Sequence, residues 1–369
     1  MRQHDWKKRQ APAHQEPAPV SLEALSPGPA QWIAGFGAWA DAAKHLGLLP
    51  QPIGLAGEAD LLRRFRKPLS EAWLEAGLDI VLLPLPDGVE CSKEQALTLA
   101  YAAEAKACKT LIGLGGGKAL DLAKWASQIR PMTLVTAPTS AATCAASSAV
   151  VVAHRPDGSF DSVLDLPKAA ALCVVDFDAL KEAPGPLLAA GLADTVAKWL
   201  EWRALEVNTA GFGAGAAWIL AERGALACES LGAEALKEPG GAAWATCVEA
   251  VLLWSAQASC LGSAPAAAAH SLANALTGQL AGRTLSHGAQ VGLGLLWQEA
   301  LLAQAGETSW GGLRLRTALS AWGLPLALPP GLDLDALLAA ALAPGESVHS
   351  LDWELTGTQA RQALQGLIP

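Results

Sequence analysis

The chain has 369 residues, 51% of them apolar, and a formal net charge of −9 from 26 basic and 35 acidic side chains. That length favours two domains over one core, and the acidic balance excludes a nucleic-acid-binding face, which needs a basic surface. Seven scattered cysteines, never spaced as CxxC, exclude a disulfide scaffold and a thiolate zinc site and predict a reducing, cytoplasmic setting.

Residues 1–20, MRQHDWKKRQAPAHQEPAPV, carry basic residues with no apolar stretch behind them, so a loose polar tail and no secretory signal are predicted. From residue 21 to 185, short apolar runs alternate with helical patterns. QWIAG (31–35) precedes the helix-like AWADAAKHLG. PIGLAG (52–57), DIVLLPL (79–85), TLIGLG (110–115) and MTLVTAP (132–138) follow, spaced by stretches such as SKEQALTLAYAAEAKA. Apolar strands alternating with helices predict an α/β domain with a parallel sheet covered on both faces. AVVVAH and LCVVDF (172–177) are expected to pair, with RPDGSF as the turn between them.

After EAPGP (182–186) long alanine- and leucine-rich stretches take over, so residues 186–369 are expected to form an all-α domain. Between Ala250 and Gly282 no residue is charged, yet Gln257, Pro265, His270, Asn274 and Gln279 interrupt the stretch. It lacks the ~18 continuous apolar residues of a membrane helix and predicts buried helices instead.

Two segments in the α/β half suit a ligand. In LIGLGGGKALDLAKWAS (111–127) a strand runs into Gly115, Gly116 and Gly117, and a helix starts at Lys118. Glycines let backbone N–H groups approach a ligand closely, and the helix start adds unpaired donors and a positive dipole end, which together suit a phosphate. Neither GxGxxG nor a P-loop is present, and Asp121 with Lys124 could equally be a solvated helix face. The small-residue loop VTAPTSAATCAASS (135–148) ends the next strand, so the two loops would share the carboxyl edge of the sheet, where open α/β folds bind ligands.

In the helical half Asp194, His270 and His287 form a candidate metal set, one carboxylate and two imidazoles able to leave coordination positions open. Their separations of 76 and 17 residues carry little information. A helix-capping Asp194 and a core His270 fit the spacing as well. His270 lies in the charge-free stretch, where an imidazole needs a polar partner or ligand. His4, His14, His45 and His349 read as surface residues.

Taken in order, PGPAQWIAGFGA, ECS (90–92), GGGKALDLAK, APTSAAT, PDGSFD, GLADTVAKW, AAAAHSLANALT and HG (287–288) resemble the iron-containing alcohol dehydrogenase and dehydroquinate synthase superfamily, and its glycerol dehydrogenase branch most. The resemblance runs from about residue 28 to beyond 300. It implies a Rossmann-like dinucleotide-binding domain, a helical metal-binding domain and an active site between them. Gly115, Gly116, Gly117, Lys118 and Asp121 would hold the NAD pyrophosphate and its surroundings, and Thr139, Ala142 and Ser148 would contact the cofactor. Asp194, His270 and His287 would bind the catalytic divalent metal, zinc or iron. The implied reaction is hydride transfer between a small alcohol or polyol and NAD(P).

The chain departs from the family's pattern at several positions. Cys144 stands where the glycerol enzymes carry a polyol-contacting aspartate, and a thiol accepts hydrogen bonds more weakly than a carboxylate and lacks its fixed charge. His154 replaces a tyrosine near the nicotinamide. Gly57 replaces the acidic residue at the adenosine ribose, with Glu58 beside it, so NAD and NADP both stay open. Ala289 replaces an acidic residue after HG. A dehydroquinate synthase-like or glycerol-1-phosphate dehydrogenase-like reading would need cleft cations; the region from Glu238 on offers few, with Arg283 alone near the second histidine. A relative that binds metal and nucleotide without turnover is the third reading. A homo-oligomer with no nucleic-acid or membrane partner is expected.

Overall fold

A computed structural model describes residues 26, 28–205, 212–262, 266–280, 285–306, 312–351 and 355–369. The predicted tail to residue 20 and Arg283 lie outside the described residues.

The α/β elements run β1 (Gln31–Gly35), α1 (Ala38–Leu46), β2 (Ile53–Glu58), α2 (Ala59–Arg64) and α3 (Arg66–Leu69), which continues into a π-turn (Ser70–Leu74). Then come β3 (Ile80–Leu85), α4 (Lys93–Ala105), β4 (Thr110–Gly115), α5 (Gly117–Ile129), β5 (Thr133–Pro138), β6 (Val150–His154), β7 (Phe160–Asp165), β8 (Leu172–Asp176) and α6 (Phe177–Leu180). Six strands form a parallel sheet in the order β1-β8-β5-β4-β2-β3. Every residue of β4 and β8 is buried, as strands covered by helices on both faces require.

The expected pairing of AVVVAH with LCVVDF is corrected. AVVVAH forms β6 and pairs antiparallel with β7, FDSVLD, in a separate two-stranded sheet. LCVVD instead lies between β1 and β5. Its five buried residues need partners on both edges and both faces, whereas FDSVLD alternates half-buried and exposed positions and suits a one-sided hairpin.

The remaining described elements are helical: α7 (Gly185–Ala204), α8 (Ala214–Ala235), α9 (Ala242–Glu249), α10 (Ser255–Gly262), α11 (Ala268–Gln279), α12 (His287–Gln304), α13 (Gly312–Ala321), α14 (Leu334–Ala341) and α15 (Gly357–Gln365). Their core includes Trp202 and Trp297, both 0% exposed, and Trp297 donates its indole N–H to the Ala360 carbonyl at 3.0 Å. Truncating either ring to alanine costs roughly 3–5 kcal/mol. The same apolar cluster reaches Leu120, Ala141, Ala146, Cys173 and Val175, so the helices pack directly on the sheet layer. No described helix is long and apolar enough to cross a membrane.

Candidate active site

The parallel sheet brings the carboxyl ends of β2, β4, β5 and β8 to one edge. Asp176 closes the end of β8. Its Oδ1 accepts from the Asp178 and Ala179 amides at 2.9 and 3.1 Å, and its Oδ2 accepts from the Trp39 amide at 2.8 Å. At this edge Gly116, Gly117, Lys118, Thr139 and Ala142 line a cleft of about 320 Å³ together with Glu58. Gly116 caps α5 without a side-chain bond, so the first amides of that helix face the cleft unobstructed. A Cβ on Gly117 would sit 3.2 Å from the Thr143 hydroxyl, and one on Gly115 would sit 2.9 Å from the Ala119 Cβ.

The other nucleotide-site residues lie elsewhere. Asp121 and Lys124 are not a solvated helix face: they are 5% and 1% exposed and form an ion pair at 2.7 Å. Asp121 Oδ2 accepts from the Val152 amide, and Lys124 donates to the Ser148 hydroxyl at 3.2 Å and the Val150 carbonyl at 2.6 Å. Asp121, Lys124 and Ser148 therefore bind β6 and the preceding loop to α5, beneath the cleft. His154, at the end of β6, donates its backbone N–H to the Cys91 carbonyl at 2.8 Å. Burial lowers its pKa, and its Nδ1 has no hydrogen-bond partner among the described residues.

The metal candidates converge. Asp194 is buried in the middle of α7, His270 is the third residue of α11 and His287 opens α12. One ligand atom from each lies within 4.8 Å of the other two. The Nε2 atoms of His270 and His287 are 3.6 and 3.9 Å from Asp194 Oδ1.

Glu201, absent from the sequence reading, aims His270. Its Oε2 is 2.5 Å from His270 Nδ1, while its Oε1 accepts from the Ala267 and His270 amides at 2.8 and 3.0 Å. One buried carboxylate thus caps the start of α11 and turns Nε2 toward Asp194. The signal was present in LADTVAKWLE: Glu201 follows Asp194 by seven residues, two helical turns on the same face.

Electrostatics fit a cation at this point. Burial alone would raise the Asp194 pKa, but Lys198 and the two imidazoles hold it well below the ordinary carboxylate range. Desolvation opposes the His270 imidazolium, yet Glu201 and Asp194 carry its pKa up to about 10. His287 goes the other way, pushed down to about 4 by desolvation and the charges of His270 and Lys198 against the pull of Asp194. Two carboxylates around one imidazole thus favour positive charge there, and an oxygen with two ring nitrogens is a donor set for zinc or ferrous ion. Glu201→Gln is expected to weaken metal binding about 10–100-fold, read by chelator competition, because it removes the acceptor that orients His270.

Lys198 is the second residue missed. It stands one turn beyond Asp194 on α7, and its charge helps hold the Asp194 carboxyl ionised. Cys144 opens a short 3₁₀ turn after β5 and is half-buried.

Comparison with known proteins adds an independent line. Residues 29–177 match the family model of iron-containing alcohol dehydrogenase. The glycerol dehydrogenase of Escherichia coli O6:H1 is 31% identical over 366 residues, covering 93% of this chain and 96% of that protein. That of Pseudomonas putida is 31% identical over 345 residues, covering 83% and 93%. The fold is similar to the crystal structure of a probable glycerol dehydrogenase from Sinorhizobium meliloti 1021, with a TM-score of 0.81 at 24% identity, covering 94% of this chain and 98% of that one.

Proposed function

Since the chain belongs to the iron-containing alcohol dehydrogenase family, we propose that Asp194, His270 and His287 hold its divalent metal and that the cleft at Gly116, Gly117 and Lys118 holds NAD. The chain is an oxidoreductase acting on CH–OH groups, an alcohol or polyol dehydrogenase of this family. The convergence of three ligand atoms within 4.8 Å carries the assignment of the metal residues. A divalent ion held by Asp194, His270 and His287 would supply Lewis acidity toward an alcohol hydroxyl, and a nicotinamide held at the Gly116, Gly117 and Lys118 cleft would supply the hydride acceptor.

The protein's own residues supply position. Glu201 fixes the ring and the backbone of His270. The Asp121–Lys124 pair braces the loop between β5 and β6 against α5, which keeps Thr139 and Ala142 at the cleft. The open amides at the start of α5 suit the pyrophosphate. The domain division at residues 185 and 186 belongs to the same reading, with the nucleotide cleft and the metal residues on opposite sides of it. Self-association is also part of it, supported by exposed Phe212, Ile219 and Leu226, seven residues apart along α8 and its approach.

NAD is favoured over NADP. A Cβ at Gly57 would lie 2.9 Å from the Leu114 carbonyl, so no side chain fits there without a backbone shift. Glu58 instead brings a carboxylate to the cleft, where it would repel a 2′-phosphate. Glu58→Ala is expected to raise the ratio of kcat/KM for NADP over NAD by about tenfold, the effect of one like charge near a phosphate. The test of the whole reading is NADH absorbance with a panel of diols, hydroxy acids and aldehydes, with zinc, ferrous or manganese ions added in turn. Silence across the panel with metal bound would overturn it.

A further inference from the structure

The helix that carries His270 starts without a cap of its own. Ala267 precedes α11 and offers no side-chain acceptor, so the amides of the first turn need partners from elsewhere in the fold. Glu201 of α7 takes those of Ala267 and His270. The amide of Ala269 goes to Gln298 of α12, whose Oε1 accepts it at 3.1 Å.

Gln298 is 1% exposed, and the same amide group makes a second buried bond: its Nε2 donates to the Leu200 carbonyl of α7 at 3.3 Å. A side chain on α12 thereby joins α11 to α7, and these are the three helices that bear Asp194, His270 and His287. The residues it grips are the immediate neighbours of the pair that aims the ring. Leu200 precedes Glu201, Ala269 precedes His270, and Glu201 Oε2 lies 2.5 Å from His270 Nδ1. An N–H on one side and a carbonyl on the other dictate which way the amide faces, since one orientation alone satisfies both. The backbone of α12 suits this reach. Gly294 stands one turn before Gln298, and a Cβ there would come 2.1 Å from the Ala269 carbonyl oxygen, so α12 lies directly against the residue whose amide Gln298 binds.

We propose that Gln298 is a positioning residue: its amide holds Leu200 and Ala269 at a fixed separation and so sets the register in which Glu201 meets His270 Nδ1 and His270 Nε2 faces Asp194. It lies 11 residues along α12 from His287, about 16 Å at the helical rise, and acts through Glu201 and His270 rather than on the ion. Without that amide the Ala269 N–H is unpaired in the interior, and the first turn of α11 must shift to find another acceptor. The consequence for metal rests on the metal reading above, whereas the Glu201–His270 contact belongs to the protein itself.

The test reads that contact as well as the metal. A carboxylate–imidazole hydrogen bond this short places its proton far downfield in the 1H NMR spectrum, and its disappearance in Glu201→Gln assigns it. In Gln298→Met, close in size but without the amide, this proton should exchange with solvent at least about tenfold faster. Zinc affinity by chelator competition should fall at least about tenfold, the lower end of what losing support for a metal ligand costs. The visible spectrum of the cobalt-loaded protein should change with it, because that spectrum reports ligand geometry. Gln298→Glu keeps the acceptor for Ala269 and loses the donor for Leu200, so a smaller change in the same direction is expected, and it serves as the second variant should Gln298→Met fail to fold. Trp297→Phe is the control for plain destabilisation: it removes the buried bond to Ala360 and should lower Tm without altering the resonance, the cobalt spectrum or the zinc affinity. Wild-type proton exchange, spectrum and affinity in every Gln298 variant that folds overturn the proposal, as does a Trp297→Phe protein that loses as much zinc affinity at an equal loss of Tm. A protein that binds neither zinc nor cobalt, while its downfield proton still depends on Gln298, keeps the positioning role and removes the metal reading.

Discussion

Asp194→Ala is expected to lower kcat/KM by about 10³-fold or more and to leave the purified protein without stoichiometric metal. A Lewis-acidic ion contributes several kcal/mol to the stabilisation of developing oxygen charge, and each 1.36 kcal/mol is tenfold in rate. Of the three candidate ligands Asp194 is the one anion, and both imidazoles point their Nε2 atoms at its Oδ1. Without it the metal would meet two neutral ring nitrogens beside the Lys198 cation, and repulsion would replace attraction. The decisive readouts are metal analysis and thermal unfolding with and without added zinc. Zinc should raise the wild-type Tm, since a ligand bound only to the folded state stabilises it by mass action, and should leave the variant's Tm unchanged. A variant that retains one metal per chain would remove Asp194 from the ligand set.

The α/β half was legible because its strands announce themselves by uninterrupted apolar runs between helical patterns. QWIAG became β1 residue for residue, and TLIGLG became β4. The hairpin was misread because FDSVLD alternates polar and apolar residues and sits behind a Pro-Asp-Gly turn, which made it look like part of the connection. Which strands meet depends on contacts distant in sequence, and periodicity does not encode them.

The three candidate ligands Asp194, His270 and His287, which the fold brings within 4.8 Å of one another, were legible too. Glu201 was not singled out because nothing in the sequence shows that α7, packed against α8 and α12, buries this carboxylate against His270. Asp121 was given to the cofactor for the opposite reason. Its place after a glycine turn suggested a ligand, whereas its buried pairing with Lys124 and the Val152 amide serves β6. In both cases the residue type was informative and the direction of the side chain was not.

Gly288→Ala is expected to dismantle the proposed metal site from a position that contributes no ligand atom. A Cβ at residue 288 would lie 2.0 Å from the Ala190 carbonyl oxygen, and real Cβ contacts essentially never fall below 3.0 Å. The start of α12 must then retreat from α7 by on the order of 1 Å, carrying His287 away from Asp194, which stands one turn past Ala190. Gly294 plays the matching part between α12 and α11, where a Cβ would come 2.1 Å from the carbonyl of Ala269, the residue before His270. Metal–ligand distances tolerate about ±0.2 Å, so a shift of that size weakens binding far more than it perturbs the helices. The expected cost is roughly 3 kcal/mol, the upper end of the usual overpacking range, with a fall in Tm of roughly 5–10 °C and a loss of metal affinity of at least about 100-fold. Gly278→Ala on α11 is the control. Nothing lies within 4 Å of its Cβ, so this change should stabilise the helix by roughly 0.5–1 kcal/mol. Differential scanning calorimetry and chelator competition on the two variants decide the matter. A Gly288→Ala protein with wild-type Tm and metal affinity would show that the close approach of α7 and α12 does not set the ligand geometry.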